Sequence, residues 1–170
     1  MFKNPLSIAL CAILVCGVFH SCEEECTPVD VDDLNAIYLR FSTDGSPGSF
    51  DPFELDSIYY IRFQESFLDS FNFPVDTIEL YQLGFYDEDY GLRLSRGFPQ
   101  GLPSGPPYYS EYKYLFMSRG QSWQVRLQQI EINGGYLDDC TYETRNKSFV
   151  LNDDTIDATG STAFIPVFKD

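Results

Sequence analysis

The chain has 170 residues, 44% hydrophobic, 16% aromatic and 22% charged, with 26 acidic against 11 basic side chains and a formal net charge of −15. That apolar content suffices for one packed domain and excludes a wholly disordered acidic chain. The acidic balance argues against nucleic acid as a partner, because phosphate binding relies on Lys and Arg.

Residues 1–21 read as an export signal. Lys3 supplies the positive charge, and a weakly polar to apolar run extends from Leu6 to Phe19. At a helical rise of 1.5 Å per residue it covers about 21 Å, short of the roughly 30 Å of hydrocarbon that a spanning helix must cross. The run ends in Phe19-His20-Ser21-Cys22, followed by Glu23-Glu24-Glu25. This resembles the lipobox of bacterial lipoproteins, in which a small residue precedes a cysteine that is acylated and becomes the new N-terminus. Ser21 is that small residue here, while Phe19 and His20 replace the more usual Leu and Ser or Ala. The resemblance implies a lipid (palmitate-type) anchor on Cys22 and an outer-membrane location. The acidic triplet is similar to the export signal of surface-exposed lipoproteins in Bacteroidetes-type bacteria, which implies display on the cell surface. The alternatives are an ordinary signal peptide cleaved near Ser21 and a cytosolic protein with an apolar start.

Processing before Cys22 leaves 149 residues with net charge −16 and removes His20, the sole histidine. Without imidazole, a Ser-His-Asp or Cys-His catalytic arrangement is excluded, and so is a His-ligated metal. The expectation is a protein that is not an enzyme and holds neither cofactor nor metal. Cys11 and Cys16 leave with the signal and Cys22 takes lipid, so only Cys26 and Cys140 remain. In an oxidising envelope they are expected to pair, closing a loop of more than 100 residues that contributes about 4–5 kcal/mol in the chain-entropy view. Cys26 lies four positions from Cys22, about 14 Å of fully extended chain, which would hold the folded body close to the membrane. Residues 22–35 then form the lipidated N-terminus and a short tether, and residues 36–170 a single β-domain.

Beyond a polar lead-in from Thr27 to Asn35, the hydrophobic period is two. Ile37, Leu39 and Phe41 alternate with polar neighbours, as do Tyr59, Ile61 and Phe63. The pattern recurs over Thr77 to Leu83, at Leu92 and Leu94, over Tyr112 to Met117, and at Trp123, Val125 and Leu127. The next apolar residues are Ile130 and Ile132, a phase slip that predicts a β-bulge. Asn133-Gly134-Gly135 predicts a hairpin turn. Tyr142 to Arg145, Lys147 to Leu151 and Ala163 to Phe168 complete the strands, with Pro166 marking an edge. One helical turn is allowed near Glu65 to Phe71. The expected fold is all-β, an antiparallel β-sandwich or open barrel of about eight or nine short strands.

Acidic groups at Asp30/Asp32/Asp33, Asp87/Glu88/Asp89, Asp138/Asp139 and Asp153/Asp154/Asp157 read as solvated turns; a glycosidase would need two of them facing across a cleft. The Pro- and Gly-rich segment from Phe98 to Tyr112 is a predicted loop, and Phe98, Tyr108, Tyr109 and Tyr112 are the candidate binding aromatics, to be weighed against packing over the sheet end. Asp56-Ser57-Ile58, Asp76-Thr77-Ile78 and Asp154-Thr155-Ile156 resemble the Asp-Ser/Thr-aliphatic acceptor of O-glycosylation in Bacteroidetes-type bacteria, with Ser57, Thr77 and Thr155 as acceptors; turns closing before strands account for the same pattern. The expected role is binding or assembly by a lipid-anchored envelope domain, with the membrane and an envelope protein or glycan as partners. The alternative is a carbohydrate-binding module or a carboxylate-dependent glycan-active enzyme.

Overall fold

The computed structural model describes residues 29–56, 58–64, 74–79, 90–96, 98, 108–120 and 122–169. Nine strands appear among them: β1 (Ile37–Phe41), β2 (Ile58–Gln64), β3 (Pro74–Glu79), β4 (Gly91–Leu94), β5 (Tyr112–Ser118), β6 (Gln124–Tyr136), β7 (Tyr142–Leu151), β8 (Asp154–Asp157) and β9 (Ile165–Val167). They form a three-stranded sheet, β4-β1-β9, and a six-stranded sheet, β3-β2-β5-β6-β7-β8. Neither closes on itself, and the fold is an all-β sandwich.

Alternation decides which face each strand buries. Ile37, Leu39 and Phe41 of β1 point inward with Leu92 and Leu94 of β4. Opposite them stand Tyr60, Tyr114, Phe116, Val125, Leu127 and Phe149 of the larger sheet. Phe41 meets Phe116 across the sandwich edge-to-face, with centroids 6.0 Å apart at 74°. Phe50 and Trp123 close one end at 4.8 Å, and Tyr60, Phe98 and Tyr114 fill the other. Aromatic pairs of this geometry contribute about 0.5–1.5 kcal/mol each beyond area burial. One pairing departs from the antiparallel expectation: β9 runs parallel to β1. Pro166 lacks an N–H and sits on this edge strand, where the missing donor leaves no ladder bond unmade.

The predicted bulge is present. Leu127 pairs with Leu151 and Gln128 with Val150, but the next partners are Glu131 and Ser148, so Gln129 and Ile130 both oppose Phe149. Gln129 takes φ +50°, which restores Ile130 to the buried face. The predicted turn at Asn133-Gly134-Gly135 is not there. Those residues lie inside β6, paired with Asn146, Thr144 and Glu143, and Arg145 is the extra residue of a second bulge that unites two predicted strands into β7. The reversal occurs instead at residues 137–141, where Asp138 Oδ1 accepts from the amides of Cys140 and Thr141 at 2.8 and 2.6 Å. Glycine is needed at 134 for close approach. A Cβ there would lie 2.3 Å from the Tyr142 hydroxyl oxygen and 2.7 Å from the Glu143 carbonyl oxygen.

Other boundaries shift too. Of the predicted strand from Thr77 to Leu83, residues 77–79 belong to β3, which begins at Pro74; residues 80–83 and the helical turn near 65–71 lie outside the described residues. The lead-in before β1 is not all tether: Val31–Asn35 form a short helix, α1, with Asp30 as N-cap accepting from the Asp33 amide at 3.1 Å. A second helix, α2 (Pro52–Leu55), carries a capping box between Asp51 and Glu54 with Pro52 in its first turn. The Lys169 ammonium binds Glu54 at 2.7 Å and ties the chain's end to it.

Gly134→Ala forces the Tyr142 ring or the β7 backbone to move and is expected to destabilise by about 1–3 kcal/mol. Gly135→Ala, whose Cβ would meet nothing nearer than Arg145 at 3.8 Å, is expected to be neutral or slightly stabilising because it removes strand glycine entropy. Urea unfolding of the two variants separates close approach from turn chemistry; equal midpoints would contradict this reading.

Candidate binding cleft

The inner face of β6 and β7 runs past the end of β5, whose pairing with β6 stops at Tyr114 and Leu127. The helix α1 lies on this extension, and its C-terminal end carries carbonyls that need donors. The side chain of Lys147, 1% exposed on β7, supplies them: its ammonium donates to the carbonyls of Leu34 at 2.9 Å and Ala36 at 3.1 Å, and to that of Ser161. Asn35 is held on every side. Its amide donates to the Tyr142 hydroxyl at 2.9 Å, its side-chain oxygen accepts from Thr144 at 3.0 Å, and its backbone carbonyl accepts from the Tyr109 hydroxyl. Asp33 accepts from the Tyr38 hydroxyl and pairs with Arg93 at 3.3 Å.

So fixed, α1 forms one wall of a cleft of about 260 Å³. Val31, Asp32 and Asn35 face Arg96, Tyr108 and Ser110, with Tyr109 and Ile132 below. The volume is just under the range usual for small-molecule sites and suits one ring-sized ligand. A 3-10 turn over Tyr109–Glu111 sets neighbouring tyrosines in opposite directions. Tyr109 turns inward, 7% exposed, and burial pushes its phenol well above the ordinary range. Tyr108 turns outward, 39% exposed, with the Arg96 guanidinium 5.5 Å from its ring centroid. Tyr114 donates to the Tyr109 carbonyl at 2.8 Å and fixes the turn from beneath.

The candidate aromatics therefore divide. Phe98 packs against Tyr60 at 5.2 Å, Tyr112 lies under the Arg62 guanidinium at 4.2 Å, and both are buried, as is Tyr109. Of the four, only Tyr108 offers an exposed ring. Of its companions in the cleft, Asp32 belonged to an acidic group read as a solvated turn, and Arg96 and Ser110 carried no motif; Asp30 of that same group is the cap that starts α1. Asn35 and Tyr109 line the cleft but are already hydrogen-bonded within the fold. Tyr108 apart, the other polar side chains among the described lining residues are a carboxylate, a hydroxyl and a guanidinium, of Asp32, Ser110 and Arg96.

Other predicted sites are scattered. Cys22, Cys26, Ser57 and the Asp87/Glu88/Asp89 group lie outside the described residues. Cys140 sits in the β6–β7 turn and is disulfide-bonded, its partner also outside them. Thr77 is exposed in mid-β3 and Thr155 exposed in β8, so neither stands in a turn before its strand. Asp157 accepts from the Thr159 amide and Asp153 approaches Arg126 at 3.5 Å, so these acids serve turns. Among the described residues no group of three or more His, Cys, Asp or Glu is placed to hold a metal ion, and no helix is long and apolar enough to cross a membrane.

Lys147→Met keeps the stem but removes all three donors, and is expected to cost about 2–4 kcal/mol through unsatisfied carbonyls. Burial holds the Lys147 ammonium below its ordinary pKa. The unfolded chain thus keeps that proton more tightly, and wild-type stability should rise relative to the Met variant as pH climbs toward the lysine range near 10. Chemical unfolding at several pH values checks both, and a gap that narrows with rising pH would contradict the sign. No protein-family model, curated protein or solved structure matches this chain.

Proposed function

We propose that this protein is a lipid-anchored, non-enzymatic β-domain of the cell envelope, held at the outer membrane through Cys22 and acting in binding or assembly. The observation that carries the reading is the sequence Ser21-Cys22 at the end of a short apolar run, with Glu23-Glu24-Glu25 behind it. The acidic triplet supports display on the cell surface. A disulfide-bonded Cys140 supports an oxidising compartment, and Cys26 is the proposed partner because it is the other cysteine left after processing and lipidation. Ser57, Thr77 and Thr155 are proposed O-glycosylation acceptors, the exposure of Thr77 and Thr155 being compatible with modification.

Intact mass of the protein from native membranes is expected to show loss of residues 1–21 with acyl chains on Cys22, and Cys22→Ser is expected to leave the membrane fraction. A chain without lipid, or a Cys22→Ser protein that remains membrane-bound, refutes the anchor. Extra mass mapping to the three hydroxyl residues tests the glycan proposal in the same spectrum.

A second reading, carbohydrate binding, is favoured by the exposed Tyr108 ring over a cleft that also presents Asp32 and Arg96. A carboxylate accepts from sugar hydroxyls, a guanidinium donates to them, and a tyrosine ring stacks on their C–H faces. Among the described lining residues Asp32 is the one acid, and hydrolysis would need two facing carboxylates; the reading is therefore of a cleft that holds a glycan. Tyr108→Ala is expected to lower retention on immobilised envelope glycan at least about tenfold, without changing the melting temperature. Equal retention by the variant and the wild type dismisses this reading.

A further inference from the structure

We infer that the β6–β7 hairpin tip is a second membrane contact, with Tyr136 and Leu137 seated in the headgroup layer of the bilayer that holds the Cys22 lipid. This deepens the anchoring proposal and rests on it. The first observation is shape. β6 pairs with β5 only as far as Leu127, yet continues to Tyr136, so the last part of the hairpin projects as a ribbon of two strands. At its tip Tyr136 is 61% and Leu137 59% exposed, consecutive side chains where β6 ends and the turn begins. The tip is nevertheless built to hold its form: Tyr136 meets Tyr142 edge-to-face at 5.3 Å, Tyr142 binds Asn35, and the Leu137 amide donates to the Thr141 carbonyl at 2.8 Å.

The second observation is where the chain comes from. Leu34 of α1 lines the same hollow as Leu137, Tyr142 and Thr144, so the N-terminal segment reaches the fold at the tip's end of the molecule. Val29 is seven residues from Cys22, at most about 25 Å of extended chain. The third observation is Cys140, which lies in the tip turn and is disulfide-bonded. With Cys26 as its partner, the acylated residue is four positions from a covalent link to the tip, about 14 Å at full extension. The chain's geometry therefore directs this end of the molecule, rather than the far end of β1 beyond Phe41 and Phe50, toward the bilayer.

The chemistry of the tip sets the depth. A phenol and an isobutyl group suit the interface, where an apolar body and a polar end are both solvated. Asp138 and Asp139 flank them, and Glu143 lies beside Arg145 at 3.8 Å. Carboxylates stay out of hydrocarbon and are repelled by anionic headgroups, so the contact is shallow and favours zwitterionic lipid.

The test uses the full, acylated chain in phosphatidylcholine vesicles, its Cys22 lipid verified by mass. Leu137→Trp places a reporter at an exposed position, and the wild type gives the background of buried Trp123. Phe53→Trp, 83% exposed on α2 at the other end of β1, is the control. The expected result is a blue-shifted emission for Leu137→Trp and quenching by lipids brominated near the headgroup at least twofold above both references, weakened by anionic lipid. An acylated protein whose Leu137→Trp emission is unshifted and unquenched overturns the hairpin contact alone. A protein with no lipid on Cys22 overturns the anchor and the contact together. Shift and shielding that depend on protein concentration and not on lipid assign the tip to a second copy of the chain, and also overturn the inference.

Discussion

A buried ammonium organises this fold. Lys147 is 1% exposed, and among the described residues its nitrogen is held by three backbone carbonyls, of Leu34, Ala36 and Ser161. A lysine that loses its water must find three acceptors or forgo its charge. The acceptors here come from both ends of the chain, α1 before the first strand and the loop between β8 and β9. One side chain in the middle of β7 thereby joins the N-terminal segment, the larger sheet and the C-terminal segment. Asn35 reinforces the same joint through Tyr109, Tyr142 and Thr144. The cleft exists because of it. Remove the joint and α1, five residues long, has far too little intrinsic helix stability to stand as a wall.

The aromatic residues divide by the same logic of what each end of a side chain requires. Phe41, Phe50, Phe98, Phe116 and Trp123 fill the space between sheets of modest size, where large rings with few rotatable bonds close the interior at low entropy cost. Tyr60 and Tyr114 are fully buried as well, and Tyr114 turns its hydroxyl to the Tyr109 carbonyl, 2.8 Å away. Among the described aromatics that stay exposed, Tyr108 stands at the cleft and Tyr136 at the hairpin tip, apart from Phe53 on α2 and from Phe164 and Phe168 beside β9. Tyr108 and Tyr136 are presented by ordered backbone, a 3-10 turn in one case and paired strands in the other.

Several elements were readable because a local rule governed them. Period-two stripes located β1, β2, β4 and β5, although in β2 the inward residues are Ile58 and Tyr60 and not Tyr59 and Ile61, and the slip between Leu127 and Ile130 disclosed a bulge because one inserted residue must invert the faces that follow. Pro166 announced an edge strand because it has no amide to donate. Asn133-Gly134-Gly135 misled for an instructive reason. Asn-Gly-Gly satisfies a tight turn, but glycine also serves where another group comes too close for a Cβ, and only the Tyr142 ring across the ladder distinguishes the two uses. The capping box of Asp51-Pro52-Phe53-Glu54 was legible in principle, being a local hydrogen-bond pattern, and its helix is short enough to be lost among strand signals. Of the cleft, Tyr108 was legible as a candidate binding aromatic and Asp32 only as part of an acidic group; their meeting with Arg96 was not, because the three belong to separate segments and nothing local relates them.

The sequence by itself determined the material. An acidic composition and alternating strands with punctuating turns are statements about residues close together, where chain stereochemistry and side-chain type decide. Tertiary structure alone decided that a lysine in mid-strand would be solvated by the ends of the chain, that Tyr108 and Tyr109 would face opposite ways, and that β6 and β7 would outrun the sheet. Those outcomes depend on which distant groups share a volume. Desolvation and packing act through space, and a one-dimensional pattern records only half of each contact.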